Sequence, residues 1–340
     1  MKRKGDEDWN IYLATRAAWL SFIGGRTQGE IADRLGISPA KVHRLIALAQ
    51  KNGLVKFQIE GRPLECLKFE DEISAAFGLN NCLITPDLGG GEEASIMSVA
   101  AAAGPLLSDM LGSPTVKQVG VGMGRTLKAS VEAMPRLAQS DLDIVSVSGS
   151  LTRKLSANPY DVVQKMIERT GGEGYYLPVP YIADSRAEKD MFLNQSSVLD
   201  LLNRARKSDL FVIGIGSTEL DGHLVAREII TCEEHDKLSK DGVVCDLMGR
   251  FLDSDGKLVP IELGEQAVGL HYEDVRGARV IALAGGAGKT KATLAALKSG
   301  VITDLVADES LARNLVTKID RKSADPTMHL VQDTAKGEVF

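Results

Sequence analysis

The spacing of apolar residues over the first 50 positions predicts three short helices. The first helix carries an apolar stripe formed by Trp9, Tyr12, Leu13, Ala17 and Leu20. A second helix is predicted over 28–35, because Thr27 and Glu30 stand at the spacing of a capping box and Gly36 follows as a stop. Ser38 is a good N-cap for the third helix, since Ser side chains accept a hydrogen bond from a first-turn amide.

Two helices joined through a turn glycine are typical of a helix-turn-helix unit, whose second helix enters the major groove of DNA. The alternating residues 54–59 predict a strand, which would make the domain a winged type. The residues predicted to contact DNA are Thr27, Gln28, Ser38, Ala40, Lys41, His43 and Arg44. The alternative is a helical hairpin that packs against another protein surface. That alternative does not explain the positive charge of this segment.

Beyond residues 61–63, short apolar runs alternate with helical patterns, which predicts βαβ units and a Rossmann-like parallel sheet. The runs are 82–84, 116–121, 144–147, 210–215, 243–244 and 280–284, with an Ala-rich helix over 92–111. The predicted organisation is a helix-turn-helix domain over 1–60, a linker over 61–63, an effector-binding and oligomerisation domain over 64–320 and a flexible tail over 321–340.

Glycine-rich loops follow several of the apolar runs, at the carboxyl ends of strands where open parallel sheets bind ligands. In the first loop, the backbone at Gly122 and Gly124 can approach an anion, with Arg125 and Thr126 as added donors. A plain tight turn is the alternative for this loop. The second loop offers hydroxyls around a glycine that suit a polyol or a phosphate, or form a serine-rich turn: Ser148, Gly149 and Ser150.

The third and fourth loops contribute Gly216, Ser217 and Lys289 as further candidates for effector binding. The fourth loop resembles a nucleotide-binding P-loop, but that motif requires a glycine where Leu283 stands. No ATPase is therefore predicted. Lys289 can still contact a phosphate as a point charge.

The composition is that of a globular protein, with 44% hydrophobic and 25% charged residues among 340. Residues 1–57 carry ten basic and five acidic side chains, a net +5, whereas the remainder carries −11. A basic head on an acidic body favours a polyanion-binding head. No run of about 18 apolar residues and no signal peptide are recognised, so we expect a cytoplasmic protein without a membrane partner.

Candidate metal and catalytic residues are few. Cys232, His235 and Cys245 lack regular ligand spacing and an obvious fourth partner, so neither a metal nor a cofactor is predicted. Spacing assigns no catalytic group. Among the loop carboxylates, Asp221 and Asp246 are the two to watch, and Asp246 is a candidate effector ligand.

Taken together, the motifs resemble the SorC/DeoR-type sugar-binding transcriptional regulators of bacteria over roughly residues 8–318. The segments that carry the resemblance are 27–32, 121–127, 214–216, 242–256, 268–270 and 284–289. The resemblance implies an effector domain with the fold of phosphosugar isomerases, a phosphorylated sugar or polyol held by the glycine loops, and a homodimer or homotetramer that grips double-stranded operator DNA. Lys41-Val42-His43-Arg44 departs from the family's usual recognition-helix residues, and the second loop varies among such proteins, so neither operator nor sugar carries over.

Three classes of function are compatible with these patterns. The favoured class is a ligand-responsive regulator of carbohydrate or polyol breakdown, without enzymatic activity, because the chain carries a helix-turn-helix pattern. The alternative is a phosphosugar isomerase or deaminase fused to a DNA-binding head, since a fold does not decide function. A pure scaffold is disfavoured by the number of glycine loops at strand ends.

Overall fold

The structure is a computed structural model that describes residues 4–55, 59, 61–151, 161–219, 223–226 and 228–323. By internal contacts the chain divides into two compact units, residues 1–60 and 61–340. The predicted linker, 61–63, thus forms the start of the second unit. Each unit is described by itself below.

The first unit contains three helices, α1 Lys4–Ala18, α2 Gln28–Leu35 and α3 Pro39–Lys51, and a π-helical turn at Trp19–Ile23 follows α1. Its core is small and apolar and includes Leu13, Ala17, Ile31, Val42 and Leu45. The bounds of α2 and the start of α3 agree with the prediction. Residues 56–58 of the strand predicted over 54–59 lie outside the described residues, and residues 54, 55 and 59 are not in a strand.

The second unit alternates helices and strands as predicted. Its helices are α4 Leu64–Phe77, α5 Glu92–Leu111, α6 Arg125–Ala133, α7 Val163–Thr170, α8 Arg186–Leu193, α9 Ser196–Ala205, α10 His223–Ala226, α11 Cys232–Lys240, α12 Glu262–Gln266, α13 Thr290–Lys298 and α14 Glu309–Ser323, with 3-10 turns at Tyr272–Val275 and Ala287–Lys289. Its strands are β1 Asn81–Thr85, β2 Gln118–Val121, β3 Asp143–Ser146, β4 Glu173–Tyr175, β5 Leu210–Gly214, β6 Gly216–Ser217, β7 Cys245–Leu247, β8 Arg250–Leu252, β9 Arg279–Ala284 and β10 Asp304–Asp308.

Within the described residues, seven strands form one parallel sheet in the order β1-β10-β9-β5-β2-β3-β4. Side chains alternate between its two faces, as the pleat requires. Phe211 and Ile213 lie in the core beneath α4, α9, α13 and α14, whereas Leu210 and Val212 lie in the core beneath α5, α6 and α7. Both faces are thus covered, which makes the domain the predicted Rossmann-like α/β fold. The strand order reverses between β2 and β5, where such sheets bind ligands.

Three short strands form a separate antiparallel sheet in the order β6-β7-β8. Here the sequence prediction was wrong, because the run 243–244 was expected to be a strand of the parallel sheet. The strand begins instead at Cys245 and pairs antiparallel with Gly216 and Ser217. The prediction also missed β4, which is half-exposed, and β10, whose ends are aspartates.

The sequence was expected to contain no stretch long and apolar enough to span a membrane, but helix α5 is such a stretch. Its length and mean hydropathy of 1.4 would suffice to cross a bilayer by composition alone. However, 56% of the apolar window is buried inside the domain, where α5 packs against α6 and the sheet. These contacts are those of a core helix in a parallel α/β domain.

Helix α14 extends further than predicted. It ends at Ser323, so residues 321–323 of the expected flexible tail are helical, consistent with the strong helix propensity of Arg and Lys. The rest of that predicted tail, 324–340, lies outside the described residues.

Candidate functional site

The turn between α2 and α3 has the geometry of a helix-turn-helix. Thr27 and Glu30 form the predicted capping box, in which the Glu30 amide donates to Thr27 Oγ1 at 3.3 Å and the Thr27 amide donates to Glu30 Oε2 at 2.8 Å. Gly36 adopts φ of 64°, a left-handed conformation that favours glycine. The Ile37 amide donates to the Ala32 carbonyl at 3.0 Å, which closes the turn. These contacts fix the start of α3 relative to α2.

The N-terminal half of α3 presents the side chains predicted to contact DNA. Ser38 Oγ accepts from the Lys41 amide at 3.3 Å, so this hydroxyl caps the helix. Ala40, His43 and Arg44 are exposed and Lys41 is half-buried. Thr27 and Gln28 are also exposed at the start of α2. The exposed donors occupy the helix positions that reach base edges in known helix-turn-helix complexes, and their role in DNA contact stays a prediction.

A cavity of about 610 Å³ opens at the carboxyl edge of the parallel sheet. Residues that follow five strands line it: the loop Gly89–Gly91 after β1, Arg125 at the start of α6 after β2, Ser217 on β6 after β5, Gly285–Lys289 after β9 and Ser310 in the first turn of α14 after β10. A second cavity of about 40 Å³ shares Glu92, Arg125 and Lys289 with it and adds Gly124, Thr126 and Gly216. The predicted convergence of glycine loops at one sheet edge is therefore present in the fold.

Two cations line both cavities. Arg125 is the first residue of α6, and its Nη2 donates to Glu92 Oε1 at 2.6 Å. Lys289 precedes α13, and its Nζ donates to the Ile215 carbonyl at 2.7 Å. Burial lowers the pKa of Lys289 from its ordinary value, and the neighbouring Arg125 lowers it further. An anion bound beside Lys289 would raise its pKa again, because a neighbouring negative charge favours the charged form of the amine.

A third cavity of about 30 Å³ adjoins Asp246, with Gly122, Ser148, Gly216 and Tyr181 among its lining residues. Asp246 is buried on β7, where Tyr181 Oη donates to its two oxygens at 2.9 and 3.0 Å. The Gly249 amide also donates to Oδ1 at 2.9 Å. Burial raises the pKa of Asp246 from its ordinary value of 3.8 to about 6, although these hydrogen bonds act in the opposite direction. The carboxylate is thus held rigidly beside the sheet edge.

Asp246→Asn is expected to remove part of the pH dependence of stability. Because the folded pKa of Asp246 lies above that of the unfolded chain, the folded protein holds this proton more tightly, and the free energy of unfolding falls as pH rises from about 4 to about 6. Relative to wild type, the variant should therefore gain about 2–3 kcal/mol between those pH values. Urea unfolding at about pH 4 and about pH 7 measures this gain, and a difference that stays constant with pH would contradict it.

The structure brings most of the predicted effector residues together. The three cavities are lined by Gly122, Gly124, Arg125, Thr126, Ser148, Gly216, Ser217, Asp246 and Lys289. Gly149 and Ser150 line none of the three. The Gly149 amide donates to the Val268 carbonyl at 2.8 Å, and Ser150 Oγ donates to the Leu177 carbonyl at 2.9 Å. Their observed contacts are with neighbouring backbone.

Sequence reasoning missed the loop Gly89–Gly91 and Glu92, which line the cavity of about 610 Å³. Three consecutive glycines after a strand gave the signal that could have found them. Asp308 was missed as well: it is fully buried, accepts from the Gly286 amide at 2.6 Å and from Ser95 Oγ at 3.1 Å, and so fixes the fourth glycine loop.

The candidate metal and catalytic residues are dispersed. His235 Nε2 lies 2.9 Å from the Thr218 carbonyl, Cys232 is exposed, and Cys245 is buried in β7. In the described part of the chain, no group of three or more His, Cys, Asp or Glu side chains could hold a metal ion. Asp221 lies outside the described residues, and Asp246 belongs to the cavity above.

The fold and the site together define a class: a DNA-binding head followed by an α/β domain with a ligand cavity at the switch point of its sheet. The family profile described as "Putative sugar-binding domain" matches residues 61–317, and a winged helix-turn-helix DNA-binding profile matches residues 24–56. The chain therefore belongs to the family of sugar-binding transcriptional regulators of the SorC/DeoR type. The recognition, the fold class and the regulatory function predicted from the sequence are confirmed.

Individual relatives agree with this assignment. The erythritol catabolism regulatory protein EryD of Brucella abortus is 35% identical over 89% of this chain and 96% of its own. The transcriptional regulator LsrR of Escherichia coli K12 is 27% identical over 87% and 92%. Among solved structures, the full-length sorbitol operon regulator SorC of Klebsiella pneumoniae is 25% identical, with a TM-score of 0.66 over 90% of this chain and 99% of that one.

Proposed function

We propose that this regulator controls an operon for carbohydrate or polyol breakdown, and that a phosphorylated sugar or polyol bound at the carboxyl edge of the sheet controls its grip on the operator. The observation that carries this proposal is the meeting of Arg125 and Lys289 with glycine-rich loops in one cavity, next to the buried carboxylate of Asp246. A phosphorylated polyol needs cations and backbone amides for its phosphate and, beside them, a hydrogen-bond acceptor for its hydroxyl groups.

The phosphate end of the effector is assigned to Arg125 and Lys289. Each cation follows a glycine-rich loop, so backbone amides can approach the same anion that the side chains neutralise. A charge-assisted hydrogen bond contributes about 1.5–3 kcal/mol. Such contacts are required here because the body of the chain is acidic overall.

The polyol end is assigned to the cavity around Asp246 and Ser148. At neutral pH an acid with a pKa of about 6 is mostly ionised, and a carboxylate accepts hydrogen bonds from hydroxyl groups. Tyr181 and Gly249 keep the carboxylate in one orientation, which favours ligands with a hydroxyl at a fixed distance from the phosphate. EryD is named for erythritol catabolism, which supports a short polyol and its phosphate as the first probes.

The chain is proposed to act without catalysis, as a cytoplasmic regulator. Its named relatives are transcriptional regulators, and Tyr181 and Gly249 already engage the carboxylate of Asp246. A general base must be within reach of the proton that it removes. A turnover assay with sugar phosphates tests the isomerase alternative: product formation that Asp246→Asn abolishes would establish an enzyme.

A homodimer or homotetramer is the proposed assembly, because one helix-turn-helix grips one half-site and tight operator binding needs two. We expect light scattering at micromolar concentration to give at least twice the mass of the 36.5 kDa chain. A monomer that still binds its operator tightly would contradict this assembly.

Arg44→Ala is expected to weaken binding to the operator by about 1–3 kcal/mol and binding to random DNA by much less. Arg44 is exposed on α3, and its Nε lies within 3.4 Å of the Ala40 carbonyl, so the guanidinium is held along the helix surface. Fluorescence anisotropy with both DNAs measures the two losses. Equal weakening on both would mean that Arg44 contacts phosphate only, and Arg34→Ala on α2 is a matched control.

A thermal-shift screen tests the effector assignment directly. A ligand at 100 times its dissociation constant should stabilise the protein by about 2.7 kcal/mol. We expect erythritol phosphate or a related polyol phosphate to stabilise the chain and to change operator binding, with the unphosphorylated polyol much weaker. If the unphosphorylated polyol binds as tightly as its phosphate, the site is a polyol pocket around Ser148 and Asp246 and the phosphate assignment is wrong.

A further inference from the structure

One carboxylate stands where an anionic ligand would have to bind. Glu92 is the first residue of α5, and its Oε1 accepts from Arg125 Nη2 at 2.6 Å. Its charge also favours the protonated form of Lys289. Glu92 therefore pairs with one of the two cations that the proposed function assigns to phosphate and acts electrostatically on the other.

The Glu92 carboxylate occupies a donor that a phosphate would use. Glu92, Arg125 and Lys289 line the cavity of about 610 Å³ together, and they also line the cavity of about 40 Å³ with the loop at Gly124. At both cavities, Nη2 of Arg125 is already paired with Glu92. A phosphate that binds this guanidinium nitrogen must therefore displace the Glu92 carboxylate.

The surroundings of Glu92 allow that movement. Glu92 lines the cavity of about 610 Å³, and its side chain is 42% exposed. Gly89, Gly90 and Gly91 precede it, with φ values of 65°, 97° and 80°. A partly exposed side chain beside an open cavity can leave Arg125 by rotation about its own side-chain bonds.

We propose that Glu92 is a specificity-determining residue, an internal counter-anion that competes with the effector's phosphate for Arg125 and Lys289. The proposal rests on the phosphate site of the proposed function. A doubly charged phosphate replaces the Glu92 contact with stronger ones, whereas a neutral polyol cannot. Competition by Glu92 thus lowers the affinity for phosphates in general and selects ligands that add contacts elsewhere, at the Asp246 cavity.

Calorimetric titration of the full-length chain with inorganic phosphate tests this role. Glu92→Gln should bind phosphate about tenfold more tightly than wild type, because one charge-assisted contact no longer has to be broken. Glu93→Gln is the matched control: it removes the same charge one residue further along α5, from an exposed side chain that lines none of the three cavities. We expect it to change the affinity by less than about twofold.

Arg125→Ala separates this inference from the proposed function. In that background Glu92→Gln should have little effect, because Glu92 and the phosphate compete chiefly for the Arg125 guanidinium, which the variant lacks. Glu92→Gln that leaves phosphate affinity unchanged or lowers it overturns the inference, and so does an equal gain from Glu93→Gln. If Arg125→Ala fails to weaken phosphate with either residue at 92, the phosphate site itself is wrong. Glu92→Ala, with thermal unfolding of every variant, guards against an effect specific to glutamine.

Discussion

Lys289→Ala is expected to weaken the binding of a phosphorylated polyol by about tenfold to a hundredfold. Lys289 lines the two cavities beside Arg125, and its ammonium group is anchored by the Ile215 carbonyl at 2.7 Å. This anchor holds a charge at the sheet edge that alanine cannot replace. Arg125→Ala should have an effect of similar size, for the same reason.

Lys291→Ala provides the matched control for this experiment. Lys291 lies two residues further along, is 70% exposed on its side chain and pairs with Glu219 at 3.5 Å. Its removal changes the net charge equally but takes no group from the cavity around Arg125. Calorimetry with the effector, and operator binding in its absence, should show a loss of effector affinity for Lys289→Ala and unchanged operator binding for both variants. Equal losses of effector affinity in the two variants would mean that Lys289 acts only through the overall charge of the protein and not by contact with the phosphate.

Gly149→Ala is expected to destabilise the second unit by about 3 kcal/mol or more, or to prevent its folding. A Cβ atom at Gly149 would lie 2.1 Å from the Pro180 carbonyl oxygen and 2.6 Å from that of Val179. Both obstacles are backbone atoms, and the Gly149 amide is held by Val268 on the other side. The segment has no direction in which to relax.

Gly264→Ala is the control for Gly149→Ala, because its added Cβ would meet Phe251 at an ordinary 3.6 Å. Urea unfolding of both variants should show a large loss for Gly149→Ala and a small change for Gly264→Ala. The result also bears on the predicted effector role of Gly149. A variant that folds with normal stability but loses effector affinity would contradict the packing role and favour ligand contact.

The helices and the turn of the helix-turn-helix were predicted almost completely from residues close together in the sequence. Thr27 and Ser38 cap their helices by contacts within three residues. Gly36 ends α2 in a left-handed conformation, which glycine adopts more easily than other residues. Such features depend on neighbours in the chain, so they are visible without the fold.

Features that depend on distant residues were hidden. Strand β10 begins and ends with aspartates, and their burial is compensated by donors from distant elements: Arg279 donates to Asp304 at 2.8 Å, and Gly286 and Ser95 donate to Asp308. The pairing of Glu92 with Arg125 likewise joins two glycine loops that are 33 residues apart. Spacing along the sequence predicted the loops of the site, whereas their mutual arrangement required the sheet order.

The pairing of β1 with β10 has a consequence for the order in which the chain can fold during synthesis. Asn81 Nδ2 donates to Asp304 Oδ1 at 2.8 Å across a separation of 223 residues. The outer edge of the sheet therefore cannot close until nearly the whole second unit has left the ribosome, and such distant pairings form slowly. The core of α1, α2 and α3 lies within the first 51 residues and needs nothing from later in the chain. A nascent chain, or one cut before β10, thus carries a helix-turn-helix whose core can form while the sheet of the second unit is still open, so the part that reads one half-site can be complete before the part that binds the ligand.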